Sequence, residues 1–319
     1  MGSHVVRELL DLGHQVVVLD DLSGGFEENV NPRARLVVGS VVDEKFVSGL
    51  FSAERFDYVY HLAAYAAEGL SHFIRRFNYE NNIIGSVTLL NAAVNHEVRC
   101  FVYTSSIAVY GSNQLPMHEE LIPQPEDPYG ISKLAVEQDL KAARKLFGLP
   151  YVIFRPHNVY GEHQNIGDRY RNVVGIFMNQ ILQGKAMTVF GDGSQTRAFT
   201  YIGDVAPLIA RAPFLPETYG EIFNVGADTP CTVNELASLV AKAFGVAPRL
   251  QYLPAREEVL HAFADHTKAR RVFKWHQQTS LEEGIFRMAH WARKVGVRAS
   301  VGFKHVEVVK NMPPSWRPR

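Results

Sequence analysis

The chain has 319 residues, 46% of them apolar and 21% charged, and its 33 Lys plus Arg balance its 33 Asp plus Glu. That balance argues against nucleic acid or an anionic membrane surface as the main partner, and the length suffices for one large core or two modest ones. With only Cys100 and Cys231 there is no disulfide framework, and no apolar run reaches the length of a membrane span, so a cytoplasmic protein is expected.

The opening "MGSHVVRELLDLGHQVVVLDDLSGG" predicts an amphipathic helix over His4–Leu12 and a strand over Gln15–Leu19 that ends in Asp20. A helix feeding a strand that ends in an acid is the second half of a dinucleotide-binding βαβ unit. In such a unit a glycine-rich turn before the helix holds a pyrophosphate and the acid holds a ribose. Strand-like runs follow at Arg35–Gly39, Tyr58–Ala64, Cys100–Ser106 and Tyr151–Pro156, with helical stretches at Glu44–Phe51, Asn81–Asn95 and Ser132–Phe147 between them. The near-continuous apolar character of these runs predicts strands buried on both faces. Alternation of this kind predicts an α/β fold with a doubly wound parallel sheet. After "RPHNVYG" the pattern loosens, with shorter helices predicted at Val173–Leu182, Thr232–Phe244 and Leu281–Lys294. Residues 1–160, with 197–230 returning to them, are assigned to a nucleotide-binding half, and residues 161–196 and 231–319 to a smaller α+β lid. No Pro/Gly/Ser linker separates the halves, so a cleft between them is the expected ligand site.

Chemistry concentrates at two places. "YTSSIAVYG" ends a strand in Thr104, Ser105 and Ser106, and "DPYGISK" places Tyr129 and Lys133 at i and i+4, one turn apart on one helix face. An ammonium beside a phenol favours the phenolate, lowering a pKa of about 10 towards the working pH, and a Ser106 hydroxyl could share the proton being moved. Together they predict proton transfer to and from an alcohol. Tyr-x-x-x-Lys recurs by chance, serines after strands are commonly turn residues, and Asp20 alone would read as a solvated turn acid. Their order along one α/β pattern is the specific signal. The thirteen histidines show no metal-ligand spacing, so no metal is expected.

These blocks, with "HLAA", "NNIIGSVTLLNA", "PYGISKLAVEQ", "VFGDGSQTRAFTYIGDVA" and "FNVG", resemble in order those of the extended short-chain dehydrogenases/reductases, within them the NAD-dependent nucleotide-sugar epimerases and dehydratases, and most nearly the UDP-glucose 4-epimerase-like enzymes. The resemblance implies a Rossmann fold and NAD as cofactor. It implies that Asp20 and its neighbour Asp21 serve the adenosine ribose, with Ser23 and Gly24 lining the same pocket. Gly2 would be the last glycine of the phosphate turn, and Leu62, Ala63 and Ala64 would pass under the cofactor, with Asn81, Ser105 and Pro156 near it. It further implies Tyr129 as base, Lys133 as partner of the nicotinamide ribose, and Ser106 as holder of the reacting hydroxyl. Asn158, Arg197 and Arg256 match diphosphate-binding positions, as suits the forked guanidinium of Arg. His157 is expected against the nicotinamide or the sugar, and a homodimer formed through the helices of Asn81–Asn95 and Ser132–Phe147 is expected.

Two departures stand out. Where the family often has an acid for the adenine, this chain reads Gly39-Ser40-Val41, so Ser40 and Val41 would make a weaker contact. The family's turn reads roughly G-x-x-G-x-x-G after a first strand, and only Gly2 remains here. The sequence is therefore expected to be a shortened form of a longer protein, with weakened cofactor affinity if it is the true chain. Dehydratases carry an Asp-Glu pair where this chain has Ile107 and Ala108, which points to a sugar 4-epimerase acting on a nucleotide sugar, a UDP-sugar foremost. The alternatives are a reductase, a different epimerase, or a non-catalytic NAD-binding scaffold, the last disfavoured by retention of Ser106, Tyr129 and Lys133.

Overall fold

The computed structural model describes residues 1–112, 114–256, 258–300 and 302–317. Its centre is a four-stranded parallel sheet in the order Ile222–Val225, Tyr151–Pro156, Cys100–Thr104, Tyr58–His61. Alternation along the strands builds a core on each face. Cys100, Val102, Val152 and Phe154 turn to one side, where they join Phe177, Phe223, Ile285 and Met288. Phe101, Tyr103, Tyr151 and Ile153 turn to the other, against Val47, Phe51, Leu90 and Leu140. The first of these cores runs on into residues beyond 231, so no boundary of water separates the two halves of the chain.

Burial on both faces holds for Cys100–Thr104 and Tyr151–Pro156, whose residues are all buried. It fails for the other strands. Val17–Asp20 and Arg35–Val38 form a separate two-stranded parallel sheet, and they and Tyr58–Tyr60 are at most half-buried. The reason is that Val17–Asp20 and Tyr58–His61 both border the large cleft instead of pairing with each other.

The predicted elements shift mainly at their ends. The opening helix covers Gly2–Asp11 and its strand Val17–Asp20. The expected strand Tyr58–Ala64 stops at His61, leaving Leu62–Ala64 as extended backbone on the cleft wall. Instead of a uniform helix over Asn81–Asn95, a π-turn at Glu80–Ile84 leads into Gly85–Asn95. The helix expected from Ser132 begins at Pro128: Asp127 accepts a hydrogen bond from Gly130 N as N-cap, Pro128 occupies the first turn, and Gly148 ends the helix at φ +73°. No described helix is long and apolar enough to cross a membrane.

Candidate active site

A cleft of about 1300 Å³ runs from the Asp20 strand end to the Tyr129 helix and on to the segment carrying Arg256. At its centre, the Asp127 cap and the Pro128 start fix Tyr129 in the first turn of its helix, and Tyr129 N donates to Ser71 Oγ at 3.2 Å. Gly130 is required beside it, because a Cβ there would stand 2.5 Å from the Ala108 carbonyl oxygen. Lys133, one turn on and 3% exposed, donates from Nζ to Thr104 O at 2.8 Å and lies 5.8 Å from the centre of the Tyr129 ring. Ser106 Oγ accepts from Ala108 N at 3.1 Å and lies near enough to the Tyr129 phenol to favour its ionised form. Ser106, Tyr129 and Lys133 are thus brought together.

Their protonation differs from the sequence expectation. Burial holds the Tyr129 phenol well above its ordinary value, against the opposite pull of the neighbouring Ser106 hydroxyl, so the phenol is neutral in the protein alone. Burial also brings Lys133 down to about 7, opposed by the Glu137 carboxylate. Desolvation outweighs the mutual attraction of the pair because both groups lie under protein on nearly every side.

Ser105 takes a role the sequence did not reveal. Its hydroxyl donates to buried Glu137 Oε1 at 2.5 Å, and Glu137 receives Arg155 Nε and Nη2 at 2.9 and 2.5 Å. Arg155 Nη1 donates on to the Tyr110 hydroxyl at 2.7 Å, which donates to Asn224 Oδ1 at 2.8 Å. Arg155 and Glu137 are 1% and 0% exposed, and this network underpins the strand ends that carry the site.

At the Asp20 end, Gly2, Asp20, Asp21, Ser23 and Gly24 line the cleft. Asp20 Oδ1 accepts from Leu22 N at 2.8 Å, leaving its other oxygen for a diol. The first turn of Gly2–Asp11 carries neither an acidic residue nor a capping side chain, which suits an anion. Val41, Leu62, Ala63, Ala64, Asn81, Ser105 and Pro156 also line the cleft, whereas Ser40 does not. Its hydroxyl instead accepts from Val42 N at 3.2 Å, closing a local turn. The acid, the apolar floor and the open helix start fit a dinucleotide such as NAD.

At the far end, Asn158, Arg197 and Arg256 line the cleft. Arg197 commits its guanidinium to the protein: Nη1 donates to Thr196 O and Leu260 O at 2.9 and 2.8 Å, and Nη2 to Val259 O and to Glu258 at 3.4 Å. Arg256 gives Nη2 to Glu258 at 3.2 Å, and its buried Nε has no partner among the described residues. Among the described residues, Arg256 therefore has more donors to spare than Arg197. His157, expected against the ligand, is 1% exposed and absent from the cleft wall. Its Nδ1 faces Ala198 O and its Nε2 faces His266 Nε2, each at 2.9 Å.

Three cleft residues were missed by sequence reasoning. Arg171 reaches into the cleft, 5.3 Å over the Tyr65 ring, with Nε on Asp168 at 2.6 Å. Glu68 lies along the cleft wall near Asp127, Arg197 and Arg256, and desolvation within this concave wall, with the Asp127 charge, pushes its carboxyl up to about 7. Asp127, noted only within the "DPYG" string, is itself raised by burial. Isolated charges at short-helix starts, caps and loops carry no sequence signal of this kind.

The sequence pattern described as the NAD dependent epimerase/dehydratase family matches residues 1–226. The putative UDP-glucose 4-epimerase of Methanocaldococcus jannaschii is 33% identical over 297 residues, covering 92% of this chain and 95% of that protein. The crystal structure of a Thermotoga maritima UDP-glucose 4-epimerase with UDP-glucose superposes with a TM-score of 0.85 at 36% identity, covering 92% of this chain and 96% of that one. A Thermus thermophilus UDP-glucose 4-epimerase in complex with NAD gives a TM-score of 0.86 at 32% identity, with 91% and 94% covered.

Proposed function

Because the chain belongs to the NAD dependent epimerase/dehydratase family, we propose that it is an NAD-dependent 4-epimerase of a UDP-linked sugar. The observation that carries this reading is the convergence of Tyr129, Ser106 and Lys133 in the cleft, with the apolar Ile107 and Ala108 directly after Ser106 in the chain. Elimination of water from a 4-keto sugar needs an additional acid and base, which Ile107 and Ala108 cannot supply.

Asp20 would hold the adenosine ribose of NAD, the Gly2 helix start its pyrophosphate, and Lys133 the nicotinamide ribose. Bound NAD would supply the hydride acceptor and donor at the sugar C4. The protein's own part is the proton. Tyr129 Oη removes it from the 4-hydroxyl and later gives it back, Ser106 Oγ holds that hydroxyl in line, and the Lys133 charge opposes the cost of the phenolate. Arg256 and Asn158 would hold the diphosphate. The reading includes a cytoplasmic homodimer.

Tyr129→Phe tests it. The loss of one phenolic oxygen is expected to lower turnover of UDP-glucose to UDP-galactose by about 10²–10⁴-fold, with UDP-sugar affinity nearly unchanged. Turnover above about a tenth of wild type would exclude Tyr129 as the base.

A further inference from the structure

Residues 302–317 run as a largely irregular strap against Phe73–Phe77 and Arg169–Tyr170, held by hydrogen bonds and an apolar cluster. Phe303 N donates to the Tyr170 hydroxyl at 3.0 Å. The Glu307 carboxylate receives Arg76 N and Phe77 N at 2.8 and 2.9 Å, and Glu307 N and Val308 N donate to Phe73 O at 2.8 and 3.2 Å. Ser315 O is held by the Arg169 guanidinium. These bonds deliver Trp316, 5% exposed, into an aromatic nest. Its ring stands edge-on to Tyr170, Phe190 and Phe73, with centroids 5.4, 5.8 and 6.5 Å away.

What this nest encloses is Arg256. The guanidinium carbon lies 4.6 Å from the Phe190 centroid and 5.4 Å from that of Trp316. Arg256 sits in a stretch without helix or strand, and its hydrogen bond to Glu258, the one it makes among the described residues, leaves the guanidinium otherwise free to swing. Two aromatic rings bracket it without engaging its N–H donors, which remain for an anion. Carbonyl and carboxylate partners would have occupied them, as Arg197 shows. The fit is close enough that a Cβ at Gly69 would lie 3.2 Å from Trp316 Cη2.

We infer that Trp316 is a positioning residue: through the strap it holds the Arg256 guanidinium in the orientation that binds the diphosphate of the nucleotide sugar. This rests on the reading of Arg256 as a diphosphate ligand. The test uses the full chain, with UDP as the probe in calorimetry, alongside steady-state kinetics and NAD content, for Trp316→Ala, Trp316→Phe, Arg256→Ala and the Trp316→Ala/Arg256→Ala double variant. Trp316→Ala is expected to weaken UDP binding and raise KM about tenfold, as loss of a cation–π contact implies, with kcat and NAD content little changed. Trp316→Phe, which keeps a ring face, should recover most of the affinity. The double variant should bind UDP no worse than Arg256→Ala alone, because the tryptophan acts through the arginine. Unchanged UDP affinity in Trp316→Ala, or additive losses in the double variant, would overturn the inference while leaving Arg256 as a ligand. A wild-type protein that binds UDP no better than Arg256→Ala would overturn the diphosphate assignment itself, and the inference with it.

Discussion

Lys133 sits near neutrality only because it is buried, and that has a consequence for stability. Its ordinary value is 10.5 and its value in the fold about 7, so between those pH values the unfolded chain binds a proton that the folded chain does not. Stability therefore rises with pH across that window, and the penalty is fully present below pH 7. Lys133→Met is expected to raise the unfolding midpoint of NAD-free protein at about pH 6, with the gain over wild type shrinking towards about pH 10. Thermal unfolding at a series of pH values checks it, and a gain independent of pH would contradict it. The same variant should lose turnover and bound NAD, since the ammonium serves the phenolate and the ribose together. Tyr129 and Lys133 were legible in the sequence because i, i+4 spacing is a property of any helix. The direction of their protonation was not, because it depends on the strands and loops that cover them.

The helix Pro128–Phe147 shows how one element sets the site. Its Asp127-Pro128 start and Gly148 stop are local signals, carried by residues that adjoin one another along the chain. Its seat is not local. Gly130 packs against the Ala108 carbonyl and Pro125, so the turn after Ser106 and the start of this helix are pressed together. Gly130→Ala would drive a Cβ to 2.5 Å from that oxygen and push Tyr129 away from Ser106. We expect it to destabilise the protein by about 1–3 kcal/mol, as overpacking does, and to lower kcat more than it raises the KM for the UDP-sugar. Denaturant melts and steady-state kinetics measure both effects, and full activity would show that the helix start tolerates displacement. The π-turn at Glu80–Ile84 escaped prediction because its apolar pattern is that of a plain helix.

For the whole molecule, the proposed homodimer gives the clearest test. Ile84, at the end of the π-turn that leads into Gly85–Asn95, and Ile131, on the Pro128–Phe147 helix, are 51% and 41% exposed on the two helices assigned to the interface. Contact with a second copy would bury both. Light scattering at micromolar concentration is expected to give twice the 35.8 kDa chain mass, and Ile84→Glu with Ile131→Glu to give the single mass with the far-UV spectrum unchanged. A wild-type monomer would refute the dimer. The two-core arrangement also explains why no linker was legible: the core that holds Phe154 also holds Ile285 and Met288, so packing continues across both halves.

By itself the sequence determined what depends on neighbours along the chain. The apolar runs that became Cys100–Thr104 and Tyr151–Pro156, the i, i+4 pair Tyr129 and Lys133, and Asp20 at a strand end all follow from periodicity and spacing. The order of these signals also carried the family resemblance. The tertiary structure alone decided which functional groups stay available. Adjacent Ser105 and Ser106 look alike in sequence, yet one hydroxyl is tied to Glu137 and the other meets Tyr129. Arg197 and Arg256 look alike as candidate ligands, yet the terminal nitrogens of one are taken by backbone carbonyls and Glu258 and the other is set between Phe190 and Trp316. The physical reason is that free donors and shifted protonation depend on which distant segments close around a side chain, and around Arg256 those segments carry Phe190 and Trp316, far apart along the chain.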